Sequence, residues 1–313
     1  MRLRDGRGLF TMTLPGPVTA PESGPTPVPT VVMEAGAAAS RSSWGLVQPR
    51  VARFARAVVY DRSGLGKSPP DPAGRTLDRM ADDLNDLLDD LAGQQPEQQP
   101  EQQPGQRSAP ARFVLVGHSA GGPIVRLAAS RRPERIAGLV LVDPTDEAAE
   151  MLFGMGFRRL ERAAIVVGTA LARLHLFRLP YRRLLAAMPP DVRADLAAEG
   201  FTPGVLRTQA AQARTFIDEL STWREHPPGL GDIPVTVISG TRSGDGLNDA
   251  ARAAANASHA VRAAASPAGR HVPAPHSGHY VPVHDAELVG DEIRRLVELA
   301  NGAAPAASGQ AGR

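Results

Sequence analysis

Cysteine is absent from this chain, and its absence removes a broad range of chemistry. Without a thiol there is no disulfide, no thiolate metal site and no cysteine nucleophile. Lysine is almost missing too, with Lys67 as its single representative, so the basic character rests on arginine. The formal net charge is only +2, which predicts no strong field for nucleic acid or membrane.

Long hydrophobic runs are also missing. No stretch of 18 uncharged apolar residues occurs, and the nearest, residues 163–179, is interrupted by Arg173, His175 and Arg178. No apolar segment of signal-peptide length follows the basic start at Met1. With 42% hydrophobic and 22% charged residues, the chain has the composition of a soluble globular protein, and we expect a cytoplasmic location without a transmembrane segment.

The most informative stretch surrounds a single serine. Residues 112–116 form a short apolar run, Gly117-His118-Ser119-Ala120-Gly121 follows, and residues 123–130 have a helical pattern. Strand, tight Gly-x-Ser-x-Gly turn and helix are the order of a nucleophile elbow, which exposes the serine hydroxyl above the carboxyl end of a sheet. This context predicts a catalytic role for Ser119. The alternative is a glycine-rich turn with an idle serine.

The rest of the chain alternates strands and helices. Near-continuous apolar strands separated by helices indicate an α/β fold, with a parallel sheet covered by helices on both faces. The predicted strands are residues 30–34, 57–60, 113–116, 136–142, 233–240 and 270–275, and the clearest helices are 77–91, 248–265 and 286–299.

Composition divides the chain into a core and two insertions. We predict a core of residues 1–146 and 231–313, with a helical cap at 147–230 placed where α/β proteins bind ligands. Residues 94–107 are a Gln/Pro repeat without apolar side chains to bury, and we expect disorder there. The cap interleaves apolar residues with arginines. Its apolar residues serve either the cap's own packing or an acyl pocket with weak lipid-surface contact.

Gly66-Lys67-Ser68 after a strand resembles the end of a phosphate-binding loop. That motif needs a glycine where Asp61 stands, and it needs a helix beginning at the lysine, which Pro69 and Pro70 prevent. We therefore exclude nucleotide binding at this loop.

A serine nucleophile needs a base, and the base needs a carboxylate. His279, which follows a glycine between the last strand and the last helix, is the predicted base, with His276 and His284 as alternatives. We predict Asp245, in a long glycine-rich loop, as the acid. Three other aspartates remain open for that role: Asp249, Asp143 and Asp146.

The oxyanion of the reaction needs two backbone N–H donors. Ala120, directly after the nucleophile, is predicted to supply one. The loop after the strand at 31–34 is predicted to supply the other, from Ala37.

These segments together resemble the α/β-hydrolase superfamily, close to its general esterase and proline-iminopeptidase-like branch. The resemblance rests on residues 117–122, 60–68, 139–143 and 277–280, in the family's order. It implies an eight-stranded, mostly parallel sheet, an inserted helical cap, no cofactor or metal, and a Ser-His-Asp acyl-enzyme mechanism. Relatives often carry His-Gly at the oxyanion loop, where this chain has Glu34-Ala35-Gly36.

The favoured function is a serine hydrolase that cleaves a small or medium apolar carboxylic ester. A peptidase or amidase, a cofactor-free lyase or perhydrolase, and a non-catalytic binding protein on the same fold are the alternatives. Neither nucleic acid nor a particular oligomeric state is indicated by the sequence.

Overall fold

The computed structural model describes residues 1–17, 28–94 and 111–302. Within these ranges seven strands form one sheet in the order β1-β3-β2-β4-β5-β6-β7, in which only β1 runs antiparallel to its neighbour. The strands are β1 Thr11–Leu14, β2 Thr30–Glu34, β3 Ala57–Tyr60, β4 Phe113–His118, β5 Ile136–Val142, β6 Val235–Gly240 and β7 Arg270–Ala274.

Helices cover both faces of this sheet. The helices are α1 Gln48–Val51, α2 Leu77–Gly93, α3 Gly121–Arg131, α4 Met155–Arg173, α5 Arg182–Ala187, α6 Pro190–Glu199, α7 Pro203–Gln212, α8 Phe216–Thr222, α9 Asp249–Ala264, α10 Val281–His284 and α11 Ala286–Ala300. The helices α2, α3 and α9 contribute to the core on one face, and α1 and α11 to the core on the other.

The strands alternate their side chains between these two cores. In β2, Val32 joins the α2 and α3 side, whereas Val31 and Met33 join the α1 and α11 side, and all are buried. This two-sided burial explains why the inner strands β2, β3, β4 and β5 are near-continuous apolar runs. Because β4, β5, β6 and β7 run parallel, their carboxyl ends lie side by side at one edge of the sheet.

The predicted fold class is confirmed, with one difference in strand number. The described residues hold seven strands rather than the eight that the family resemblance implied. The predicted helices at 77–91, 248–265 and 286–299 are confirmed to within two residues at each end. Of the Gln/Pro segment at 94–107, only Gln94 lies within the described residues, so the disorder predicted there stays a prediction.

The segment between β5 and β6 is helical throughout its regular structure, with α4 to α8 and a short 3₁₀ turn at Glu150–Phe153. The buried guanidinium of Arg41 joins it to the sheet, because it binds Asp61 on the core side and both Asp195 and Glu199 of α6. No helix in the described part of the chain combines the length and apolarity needed to cross a bilayer.

Candidate active site

Ser119 lies in a strained turn between β4 and α3. Its φ is +53°, a left-handed conformation that is uncommon for a residue with a side chain. The turn is tight enough to require glycine on both sides. A Cβ on Gly117 would lie 2.6 Å from the carbonyl oxygen of Gly121, and one on Gly121 would lie 2.7 Å from the carbonyl oxygen of Glu34. The sequence therefore encodes this turn through its two glycines.

Three side chains from three strand ends form a hydrogen-bonded series. Ser119 Oγ lies 3.0 Å from Nε2 of His279, and Nδ1 of the same ring lies 2.7 Å from Oδ2 of Asp143. Ser119 follows β4, Asp143 follows β5 and His279 follows β7. The structure thus brings together the predicted serine and histidine.

The carboxylate on His279 is not the predicted one. Asp245 is exposed, and its Oδ2 accepts a hydrogen bond from the backbone N–H of His279 at 3.0 Å instead of contacting the ring. Its backbone is left-handed, with φ +52°, inside a small turn closed by the bridge between Gly244 and Leu247. Asp143 contacts the ring because β5 lies directly beside β4, so the first residue after β5 reaches His279.

The Asp143 carboxylate is buried and heavily bonded. Its Oδ1 accepts from Nη1 of Arg252 at 2.6 Å and from the backbone N–H of Gly240 at 3.1 Å. Burial alone would raise its pKa, but the hydrogen bond and charge of His279, with the charges of His259 and Arg252, hold the pKa of Asp143 well below its usual range. The lowered pKa keeps Asp143 ionised at neutral and mildly acidic pH.

Of the remaining aspartates and histidines considered from sequence, none contacts the Ser119–His279 pair. Asp146 is buried in ion pairs with Arg126 and Arg262, and Asp249 begins α9. The side chains of His276 and His284 are exposed.

His118, within the elbow, is a buried neutral imidazole. Its Nε2 lies 2.9 Å from the carbonyl oxygen of His279, so it must carry the proton that is donated there. Burial, reinforced by the nearby His279, lowers the pKa of His118 to about 3. The ring packs edge-on against Trp44, with the ring centroids 6.4 Å apart.

This depressed pKa predicts a pH-dependent stability. Between pH 6.5 and 3 the unfolded chain binds a proton at His118 that the folded chain excludes, so stability is full above pH 6.5 and falls as the pH falls. His118→Gln retains a side-chain N–H donor. Between pH 7 and pH 5 we expect its free energy of unfolding to fall by about 2 kcal/mol less than that of the wild type. Urea unfolding at the two pH values measures this, and equal falls in the free energy of unfolding of both proteins would contradict it.

Two backbone N–H groups point to an oxyanion site. Within the described residues, nothing accepts a hydrogen bond from the N–H of Ala37 or of Ala120. Both residues, with Ser119, line one cavity of about 140 Å³. The position of these two predicted donors beside the serine fits the chemistry that needs them.

An arginine anchors the loop that carries Ala37. Arg62 donates from Nη1 to the carbonyl oxygen of Ala35 and from Nη2 to that of Gly36, at 2.5 Å each. Its Nη1 also binds the buried carboxylate of Glu34, which accepts a further hydrogen bond from the hydroxyl of Tyr60. Glu34 is therefore a buried ion-pair partner of Arg62, and its negative charge is balanced there.

A second cavity of about 270 Å³ is also lined by Ser119, together with Asp143 and His279. Its walls are mainly apolar, with Met151, Leu152, Phe157 and Leu247 among them. Within residues 1–17, 28–94 and 111–302, no group of three or more histidines and carboxylates is arranged to hold a metal ion.

Comparison with known proteins decides the family. A family model described as the alpha/beta hydrolase family matches residues 31–292. The chain belongs to the alpha/beta hydrolase family. The match begins within β2, includes β3 to β7, the elbow and the helical segment of this hydrolase family member, and ends inside α11.

Solved structures share the fold of this alpha/beta hydrolase at low sequence identity. A thermophilic esterase from Thermogutta terrifontis is 21% identical, with a TM-score of 0.60 over 94% of each chain. The esterase EaEST from Exiguobacterium antarcticum is 15% identical, with a TM-score of 0.65 over 95% of this chain and 98% of its own. The epoxide hydrolase CorEH is 18% identical, with a TM-score of 0.66 over 95% and 96%. No curated protein matches the sequence.

Sequence reasoning missed two arginines of this site. Arg252 lies in α9, and its side chain reaches Asp143 across 109 positions of sequence. Arg62 belongs to the loop 60–68, which we considered for phosphate binding and for the family resemblance without assigning a role to the arginine. Neither arginine carries a local signal. Asp143 did carry one, because it directly follows the predicted strand at 136–142.

Proposed function

We propose that this alpha/beta hydrolase is a serine hydrolase that cleaves a small or medium apolar carboxylic ester through an acyl-enzyme. The observation that carries the proposal is the hydrogen-bonded series Ser119–His279–Asp143. The unoccupied N–H groups of Ala37 and Ala120 beside the serine support it.

In the proposed mechanism, Asp143 accepts the Nδ1–H of His279, which leaves Nε2 free to take the proton of Ser119 Oγ. The oxygen then attacks the ester carbonyl, and the oxyanion is held by the N–H groups of Ala37 and Ala120. His279 passes its proton to the departing alcohol, which leaves an acyl ester on Ser119. Water then gives a proton to His279 and attacks this ester, and His279 returns the proton to Ser119 Oγ as the acid is released.

The cavities support the substrate class. Two cavities lined by Ser119, with volumes of about 270 and 140 Å³, suit an acyl group in one and an alcohol group in the other. Their mainly apolar walls favour uncharged aliphatic or aromatic groups.

An aminopeptidase or amidase is the second candidate, since two carboxylates that could bind a substrate amino group, those of Glu161 and Asp245, also line these cavities. Two features weigh against it. Burial, opposed by the charges of Arg158 and Arg162, raises the pKa of Glu161 and so weakens its affinity for an ammonium group. Asp245 already accepts the backbone N–H of His279.

The test compares p-nitrophenyl esters from two to twelve acyl carbons with the matched p-nitroanilides and with proline p-nitroanilide. We expect turnover of esters with short and medium chains, and covalent labelling of Ser119 by a fluorophosphonate, located by mass spectrometry. Faster cleavage of the anilides would transfer the assignment to an amidase. Absence of both turnover and labelling would favour a lyase or a binding protein and overturn the proposal.

Arg62 provides a further prediction as a positioning residue. We expect Arg62→Lys to lower kcat by about 10²-fold with little change in KM, since lysine keeps the charge but cannot bridge the two carbonyl groups that hold the Ala37 loop. Arg75→Lys is the matched control, because this buried arginine bonds the carbonyl of Ser63 and does not touch that loop. Equal losses in kcat for both variants would show that Arg62 acts on the fold alone.

A further inference from the structure

The helix α4 is apolar on two opposite sides. One side faces the protein, where Phe157, Ile165 and Ala172 are buried or half-buried. On the other side Leu160, Val167 and Leu174 recur every seven residues and are exposed by 66, 58 and 65%. Large apolar side chains that recur on one exposed side of a helix are unusual in a folded protein and mark a surface that contacts something else.

The exposed row continues beyond the helix. Leu176 and Leu179, in the connection from α4 to α5, are exposed by 42 and 54%. We call these five residues the outer stripe: Leu160, Val167, Leu174, Leu176 and Leu179. The outer stripe lies on the segment 155–187.

The same segment is strongly cationic. Residues 155–187 hold seven arginines and one glutamate, a charge of +6 in a chain whose total is +2. Among the described residues, Arg158 is paired with Asp218. The other six arginines form no ion pair there and are exposed: Arg159, Arg162, Arg173, Arg178, Arg182 and Arg183. Unpaired cations that flank exposed apolar side chains are the pattern of a helix lying in a membrane interface.

We propose that the outer stripe and its arginines dock on the surface of an anionic lipid bilayer. The leucines and Val167 would enter the boundary between headgroups and acyl chains, while the guanidinium groups bind lipid phosphates. A second copy of the chain is a poorer occupant, because two surfaces of charge +6 repel each other. This inference concerns an interaction surface and does not depend on the proposed ester hydrolysis.

The proposed surface is connected to the active site. The inner side of α4 contributes Phe157 and Glu161 to the cavity that contains Ser119. The segment also carries Tyr181, whose side chain interacts with that of Tyr280, the neighbour of His279. Docking would therefore bring α4, which forms one wall of this cavity, to the bilayer surface.

Vesicle co-sedimentation tests this with the full chain carrying Ser119→Ala, so that no lipid is hydrolysed. We expect binding to vesicles of phosphatidylglycerol and phosphatidylcholine, little binding to phosphatidylcholine alone, and release at 1 M NaCl. The pair Arg178→Gln and Arg182→Gln should weaken binding roughly 20- to 30-fold. The pair Val167→Gln and Leu174→Gln should weaken it by about tenfold or more.

Matched controls separate docking from general charge and hydrophobicity. Arg2→Gln with Arg53→Gln removes two other exposed, unpaired arginines, and Val261→Gln with Leu299→Gln removes exposed apolar residues of α9 and α11. Both control pairs should bind like the parent. Absence of binding to anionic vesicles, equal losses in the control pairs, or a dimer in analytical ultracentrifugation that the Val167 and Leu174 pair dissociates would overturn the proposal.

Discussion

Replacing Ser119 by alanine is expected to lower kcat for ester hydrolysis by about 10⁶-fold. The hydroxyl is the attacking atom in the proposed mechanism, and in the described residues its side chain is bonded only to His279. The substitution removes one oxygen from a half-buried position, so the free energy of unfolding should change little. A p-nitrophenyl ester assay with thermal unfolding as a check on folding measures both quantities.

Ser130→Ala is the matched control for this prediction. Ser130 lies near the other end of α3, where its hydroxyl bonds the carbonyl oxygen of Leu127, away from the cavities. The control should retain the wild-type kcat. If Ser119→Ala also retained it, the ester would be cleaved by another group, and the acyl-enzyme mechanism would fail.

Replacing Asp143 by asparagine is expected to lower kcat by about 10⁴-fold. An amide in this position can donate a hydrogen bond to Nδ1 of His279, which places the imidazole proton on Nε2 and blocks acceptance of the serine proton. It also leaves the buried Arg252 without its anionic partner, so part of the loss in stability should be recovered by Asp143→Asn combined with Arg252→Met. Activity should not be recovered.

Asp245→Asn separates the two aspartates. The asparagine oxygen can still accept the backbone N–H of His279, so we expect kcat within about tenfold of the wild type. Steady-state kinetics of Asp143→Asn and Asp245→Asn on one ester show which carboxylate acts on His279. A large loss in Asp245→Asn together with near-normal activity in Asp143→Asn would contradict the geometry and restore the acid predicted from sequence.

The lowered pKa of Asp143 also has consequences for how activity and stability depend on pH. The depressed pKa of Asp143 keeps it charged through the neutral and mildly acidic range, so its protonation cannot produce an acid limb of activity there. Its contribution to stability is present above the pKa of an unfolded aspartate, near 4, and is lost as the pH falls below that value.

The local sequence determined the features that depend on the backbone preferences of single residues and on the pattern of buried side chains along a strand. The elbow could be predicted because Gly117 and Gly121 are required by close backbone contacts, and the strands could be predicted because both faces of the sheet are buried. The donor Ala120 follows from its position after Ser119. His279 could be proposed because a glycine-histidine turn follows a strand that ends at the same sheet edge.

Only the tertiary structure decided which aspartate reaches His279 and what anchors the oxyanion loop. Asp143 and Asp245 both follow strands, and their sequence contexts do not show that β5 is adjacent to β4 or that the 241–247 loop turns away. The contacts of Arg62 with the Ala37 loop, and of Arg252 with Asp143, join residues that are distant in sequence. Such contacts are set by the packing of whole elements, which no local pattern specifies.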